Sequence, residues 1–183
     1  MRRDPAVTRV EAAPMLRSVI TRINGRPAAE VAGDHWAIRG DRSVTYSDGS
    51  PPRTTITQGA WWPPDYDGPP LVSFSADEGA EQGLKLVDTL AVSILGREIT
   101  GTIASFRQVD FRNAGIGFVL SMNPAALKGA PHTWIATVYA EPAAEAAILR
   151  DLAQAWPNVT GIRVGDVIAS VGRLLDGIAA ARE

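Results

Sequence analysis

In residues 59–109, Leu90, Val92 and Ile94 alternate with Ala91, Ser93 and Leu95. The chain then turns at Gly96-Arg97, and Ile99, Gly101 and Ile103 return against Thr100 and Thr102. Period-two alternation on both arms of a glycine turn predicts a β-hairpin with one buried face. A helix-period pattern cannot be laid over it. Ser105-Phe106 breaks the phase, so a bulge or bend is expected there. The hairpin is preceded by a loop carrying Trp61-Trp62-Pro63-Pro64, a short strand at 71–74 and one or two helical turns over 76–84.

The order of these features resembles a known family. A G-x-W-W-P element, a strand, a small helix, an L-G-L-K-x-G-D-T-L-x-V run, a glycine turn and a returning strand are the pattern of the extracytoplasmic, MacB-type periplasmic core domain of FtsX-like ABC transporter permeases, which this order resembles. The match is closest to the YbbP-like branch. The matching residues are Gly59, Trp61, Trp62, Pro63, Gly83-Leu84-Lys85-Leu86, Asp88-Thr89-Leu90 and Val92. Val87 stands where that family usually has a glycine, and a β-branched residue there argues against a positive-φ turn. The resemblance extends, less sharply, from about Asp4 to the end of the chain. It implies a domain without catalysis or cofactor of its own, on the extracytoplasmic face of the cell membrane. The implied partners are the membrane-spanning remainder of the permease, a cytoplasmic ATPase acting through the membrane helices, and a lipid, lipoprotein, peptide or partner protein.

At 183 residues the chain has room for one domain or two small ones. A formal net charge of −2 gives no electrostatic case for nucleic acid. Zero cysteines exclude disulfides and thiol chemistry. No apolar run approaches the ~20 residues needed to span a bilayer. Met1-Arg2-Arg3 is followed by Asp4-Pro5 rather than by the apolar segment of a signal peptide. Taken alone, such a chain is expected in the cytoplasm. The resemblance implies the opposite, and the two agree for an excised extracytoplasmic domain or for a gene that has lost both ends.

Along the chain, strands are expected at 7–11 and, after Pro14, at 15–23, where Leu16, Ser18, Ile20 and Arg22 share one side and Val19 and Ile23 the other. Asn24-Gly25 is a strong turn signal. Further strands are expected at 36–39, 43–46, 54–57, 116–122, 133–140 and 159–164. A helix should begin at Pro142, whose missing N–H costs nothing at the first turn, and bury a stripe of Ile148, Leu149, Leu152 and Trp156. A last helix is expected after Asp166, with Val167, Ile168, Val171, Leu174, Leu175 and Ile178 on one face.

The segment Pro157-Asn158-Val159-Thr160-Gly161-Ile162 echoes Pro5-Ala6-Val7-Thr8-Arg9-Val10. The later copy ends a strand–helix–strand unit. The early copy lacks the preceding strand and helix, so the chain is expected to begin inside a βαβ unit. The fold expected is therefore α+β. Both chain ends (1–23 and 132–183) form a βαβ lobe, and 24–131 form an inserted β-rich, small barrel-like lobe.

No motif carries chemistry strongly. His35 and His132 lack metal-ligand spacing and an orienting partner in sequence. There is no G-x-S-x-G elbow, no dinucleotide loop around Gly115-Ile116-Gly117, and no phosphate loop. Arg39-Gly40-Asp41 is explained by a turn between strands. Asp77, Glu78 and Glu81 read as a solvated helix face. The patch that stands out is Trp61, Trp62 and Tyr66 on a proline-stiffened loop. It offers a contact for a lipid, sugar or protein, or else one tryptophan plugs the barrel base while the other covers its edge. Tryptophan's preference for burial favours the plug. The alternative to a permease domain is a free-standing soluble binding module anchored by the Trp61-Trp62 loop.

Overall fold

The computed structural model describes residues 4–52, 54–110 and 116–166. The chain is mixed α+β, mostly sheet with few helices, and divides into two compact units. One is Ala12–Ala136. The other joins both ends, Met1–Glu11 and Thr137–Glu183.

The first unit is built on strands that pair in a closed ring. Strand β1 (Val7–Ile23) pairs antiparallel with β3 (Arg42–Tyr46), and β3 runs parallel to β8 (Leu120–Met122). Next, β8 lies antiparallel to β5 (Leu71–Ser75), and β5 parallel to β7 (Arg97–Arg107). Finally β7 forms the hairpin with β6 (Thr89–Ile94), which returns antiparallel to β1. Short strands β2 (Arg26–Pro27) and β4 (Ile56–Gly59) attach to β1 and β7. Strand β9 (Thr133–Ala140) also pairs with β1. Leu16, Ile20, Val44, Val72, Phe74, Leu90, Val92, Ile103, Phe106, Leu120 and Met122 form one buried cluster from these strands. Helix α1 (Ala28–Ala32) follows β2, and α2 (Ala76–Glu81) follows β5. In α2, Gly79 lies so close to Phe106 that a Cβ there would meet Cε1 at 2.5 Å.

Several expectations are corrected by the pairing. Residues 7–23 are one strand, because Pro14 fits extended backbone and loses only a donor; its carbonyl accepts the Thr45 hydroxyl at 2.7 Å. Thr21 is an extra residue between the pairs Ile20↔Val92 and Arg22↔Ala91, so Ile23 joins the buried face and Arg22 leaves it. The hairpin turns at Leu95-Gly96, since Ile94 pairs with Arg97. The bulge in β7 falls at Ala104, between Val72↔Ile103 and Ser73↔Ser105. Residues 36–39 form a turn rather than a strand: Ile38 and Arg39 both donate to the His35 carbonyl, and Ala37 N–H donates to His35 Nδ1.

The turn before β6 overturns the expectation for Val87. Asp88 N–H donates to the Lys85 carbonyl, and Val87, third of the four residues, has φ +67°. That is the arrangement of a type II turn, which calls for glycine at this position. A network holds it: Asn24 Nδ2 donates to Asp88 Oδ1 (3.0 Å), Thr89 N–H to Asn24 Oδ1 (2.8 Å) and Lys85 N–H to Asp88 Oδ2 (2.8 Å). Val87 is 79% exposed, so no packing offsets its strain. A left-handed residue with a Cβ costs about 1–2 kcal/mol, and glycine returns part of that as unfolded-state entropy. Val87→Gly is expected to stabilise by roughly 1 kcal/mol, raising Tm by about 2–4 °C. Leu86→Gly, at a position with no positive φ, should lower it. A lower Tm for Val87→Gly in a thermal melt would refute the strain.

In the unit of both ends, Glu141 N–H donates to the Ala6 carbonyl, Thr8 Oγ1 to the Tyr139 carbonyl, and Arg9 lies 3.6 Å over the Tyr139 ring. A 3-10 turn at Pro142–Ala144 leads into α3 (Glu145–Ala155), as the proline predicts. Ile148, Leu149 and Leu152 are half-buried, but Trp156 is exposed. The strand expected at 159–164 is absent: Val159, Ile162 and Val164 are exposed and no described strand pairs with them. Residues 164–166 are already helical, so Asp166 is not the N-cap expected for the last helix; the part of that helix from Val167 onward lies outside the described residues.

Candidate functional site

The connection from β4 to β5 carries Trp61 and Trp62, whose ring centroids lie 4.2 Å apart at 36°. Trp62 is buried, yet it stands apart from the cluster built by the ring strands. Its indole N–H donates to the Ser47 carbonyl at 2.9 Å, and Trp61 N–H reaches the Asp48 carbonyl at 3.3 Å. Asp48 Oδ1 in turn accepts the N–H of Asp65 at 2.8 Å. The two indoles therefore tie this loop to the one after β3. Tyr66 is half-buried and its hydroxyl donates to the Pro69 carbonyl at 3.0 Å. What this loop offers a partner is the half-exposed face of Trp61, the prolines and part of Tyr66.

Both histidines acquire partners that are distant in sequence. His35 Nδ1 accepts from Ala37 N–H, which leaves Nε2 to donate to Glu81 Oε2 at 2.6 Å. His132 Nδ1 faces the Ala130 carbonyl at 3.2 Å and so carries the proton, while Nε2 accepts from the Tyr46 hydroxyl at 3.3 Å. Its ring stands edge-on to Tyr46 (5.6 Å) and Trp134 (6.0 Å). Neither imidazole has a free nitrogen for general-base work. Among the described residues no group of three or more His, Asp or Glu gathers to hold a metal ion. The Asp77–Glu81 face is only partly solvated. Glu78 is buried and accepts the Ser75 hydroxyl, while Asp77 faces Gln108 Nε2 at 3.3 Å. Ser75 and Glu78 have the spacing of a capping box, yet no side chain caps α2: Ser75 N–H donates to the Val119 carbonyl, and the pair meets hydroxyl to carboxylate instead.

Sequence reasoning missed Arg107. It lies at the end of β7 among Ser73, Ser75 and Ser105, on the face opposite Phe106. Nη1 donates to the Ser73 carbonyl at 2.5 Å and Nη2 to the Phe118 carbonyl at 2.6 Å. Among the described residues no carboxylate pairs with it. Burial without a counter-ion lowers its pKa from the ordinary arginine value to about 10. Within that window the unfolded chain binds a proton that the folded one has released, so folding strengthens with pH there and is indifferent to this group below it. The unfolding free-energy difference between wild type and Arg107→Met should be flat from pH 6 to 9 and shift towards wild type near pH 11. A flat difference throughout would mean that the two carbonyl hydrogen bonds keep the buried guanidinium charged.

One concave feature among the described residues is an open depression of about 630 Å³ between Tyr46 and the segment after β8, lined by Pro124, Leu127, Lys128, Pro131 and His132. Among the described residues, no helix is long and apolar enough to cross a membrane. The chain matches no protein-family model and no curated protein.

Proposed function

We propose that this chain is the extracytoplasmic domain of an FtsX-like ABC transporter permease. In this reading it is non-catalytic and passes ATP-driven motion of membrane helices to a lipid, lipoprotein, peptide or partner protein. The observation that carries the proposal is what the resembling residues do. Gly59 sits where β4 touches β7 too closely for a side chain, and Trp62 is buried. Gly83 has φ +64° after α2, Asp88 caps the Lys85 turn, and Leu84, Leu90 and Val92 enter the core. Val87, the one departure, still adopts the positive φ that the family's usual glycine serves. The pattern is thus a scaffold signature, and a scaffold is what a transmitting domain needs. That residues 4–11 and 137–166 fall in one unit supports coupling of that unit to moving helices.

The finer architecture belongs to the same proposal: a βαβ lobe from the two ends and a barrel-like insert. So does a place on the extracytoplasmic face, joined through the membrane-spanning remainder to a cytoplasmic ATPase. Trp62 leaves the alternative of a free-standing module less surface to use, because its ring and its N–H are already engaged. Sequencing the DNA that flanks the reading frame tests the proposal. Apolar segments of ~20 residues in frame on both sides are expected. A stop codon on each side would overturn it in favour of the free-standing module.

A further inference from the structure

The depression beside Tyr46 has a composition that fits one class of ligand. Leu127 and the pyrrolidine rings of Pro124 and Pro131 line it, together with Tyr46 and His132, which meet edge to face. It is open to solvent, and its volume of about 630 Å³ leaves room for a small ring system resting on one side. Flat, rigid walls of this kind suit a ring better than a flexible chain. The polar side is sparse. Lys128 is exposed, and its ammonium has no hydrogen bond or ion pair among the described residues. His132 is fixed by the Ala130 carbonyl and the Tyr46 hydroxyl, so it serves as a wall rather than a base. Among the lining residues Lys128 is the one lysine and there is no arginine; a single ammonium matches a monoanion, whereas phosphate sites gather several donors.

We propose that this depression binds an aromatic carboxylate, its ring against Pro124, Leu127 and Pro131 and its carboxylate on Lys128. The inference stands apart from the place of the domain in a transporter. The test is a titration of the full chain with 2-naphthoate, followed by its ¹H–¹⁵N spectrum, with uncharged 2-naphthamide as the comparison. Saturable shifts should be confined to Tyr46, residues 125–132 and the indole of Trp134. With about 13 heavy atoms and ordinary ligand efficiency, a Kd of roughly 1 mM is expected. The amide should bind about fivefold more weakly, the size of one exposed ion pair. Lys128→Met, an exposed change that should leave the spectrum otherwise intact, is expected to bring naphthoate to the amide's affinity without altering the amide. No saturation by 10 mM, shifts elsewhere, equal binding of the two probes, or full naphthoate affinity in Lys128→Met would each overturn the proposal.

Discussion

Trp62→Ala is expected to destabilise the protein by about 3–5 kcal/mol, the usual cost of removing a buried aromatic ring. Trp62 is 3% exposed and lies over the loop that follows β3. Truncation would open a cavity there and leave the Ser47 carbonyl without its donor. The neighbouring Trp61→Ala should cost only about 1–2 kcal/mol, because that ring is half exposed and its 3.3 Å hydrogen bond is long. Trp62→Phe, which keeps a ring and loses the N–H, isolates the hydrogen bond at about 1 kcal/mol. Urea unfolding of the three variants decides between the two readings of the aromatic pair. If Trp62→Ala unfolds at the wild-type midpoint, the ring is not structural, and a surface anchor becomes the better account of Trp61-Trp62.

The same contrast shows what could be read from the sequence and what could not. Alternation announced β6 and β7 because it is a local property of side chains on a pleat. Asn24-Gly25 and Pro142 announced a turn and a helix start because each acts through its own backbone. Partners were not announced. Nothing in Val44 or Val72 says that β3 runs beside β8 and β5 beside β7, both in parallel, since a pattern gives the buried face but not the neighbour. Residues 159–164 have the composition of a strand, yet a strand exists only where another backbone accepts its hydrogen bonds. His35 met Glu81 and Tyr46 met His132 through the topology of the ring, at separations of 46 and 86 residues. Val87 erred for the opposite reason. Its own preference was clear, and the Asn24–Asp88–Lys85 network overrode it.

Gly59→Ala should cost at least ~3 kcal/mol, more than its backbone angle alone explains. At φ +72° an alanine pays the left-handed penalty of about 1–2 kcal/mol. In addition, a Cβ on Gly59 would overlap the carbonyl oxygen of Ala104 and lie 2.9 Å from Leu86 Cδ2. The oxygen belongs to the bulge of β7 and accepts the N–H of Ala60 at 3.2 Å, so it cannot swing away without releasing β4. Gly25 provides the control: φ +75°, with open space where its Cβ would be. Gly25→Ala should therefore show the conformational penalty by itself. Equal losses at the two glycines in urea unfolding would mean that β4 and β7 are not in close contact. Gly59 also sets the direction from which the chain delivers Trp62, three residues later. Displacing β4 should already loosen the indole, so Gly59→Ala combined with Trp62→Ala is expected to cost less than the sum of the single changes, by 1 kcal/mol or more. Strict additivity would separate the glycine from the tryptophans. The G-x-W-W-P run would then be two neighbouring features rather than one device that fastens the loop to the ring.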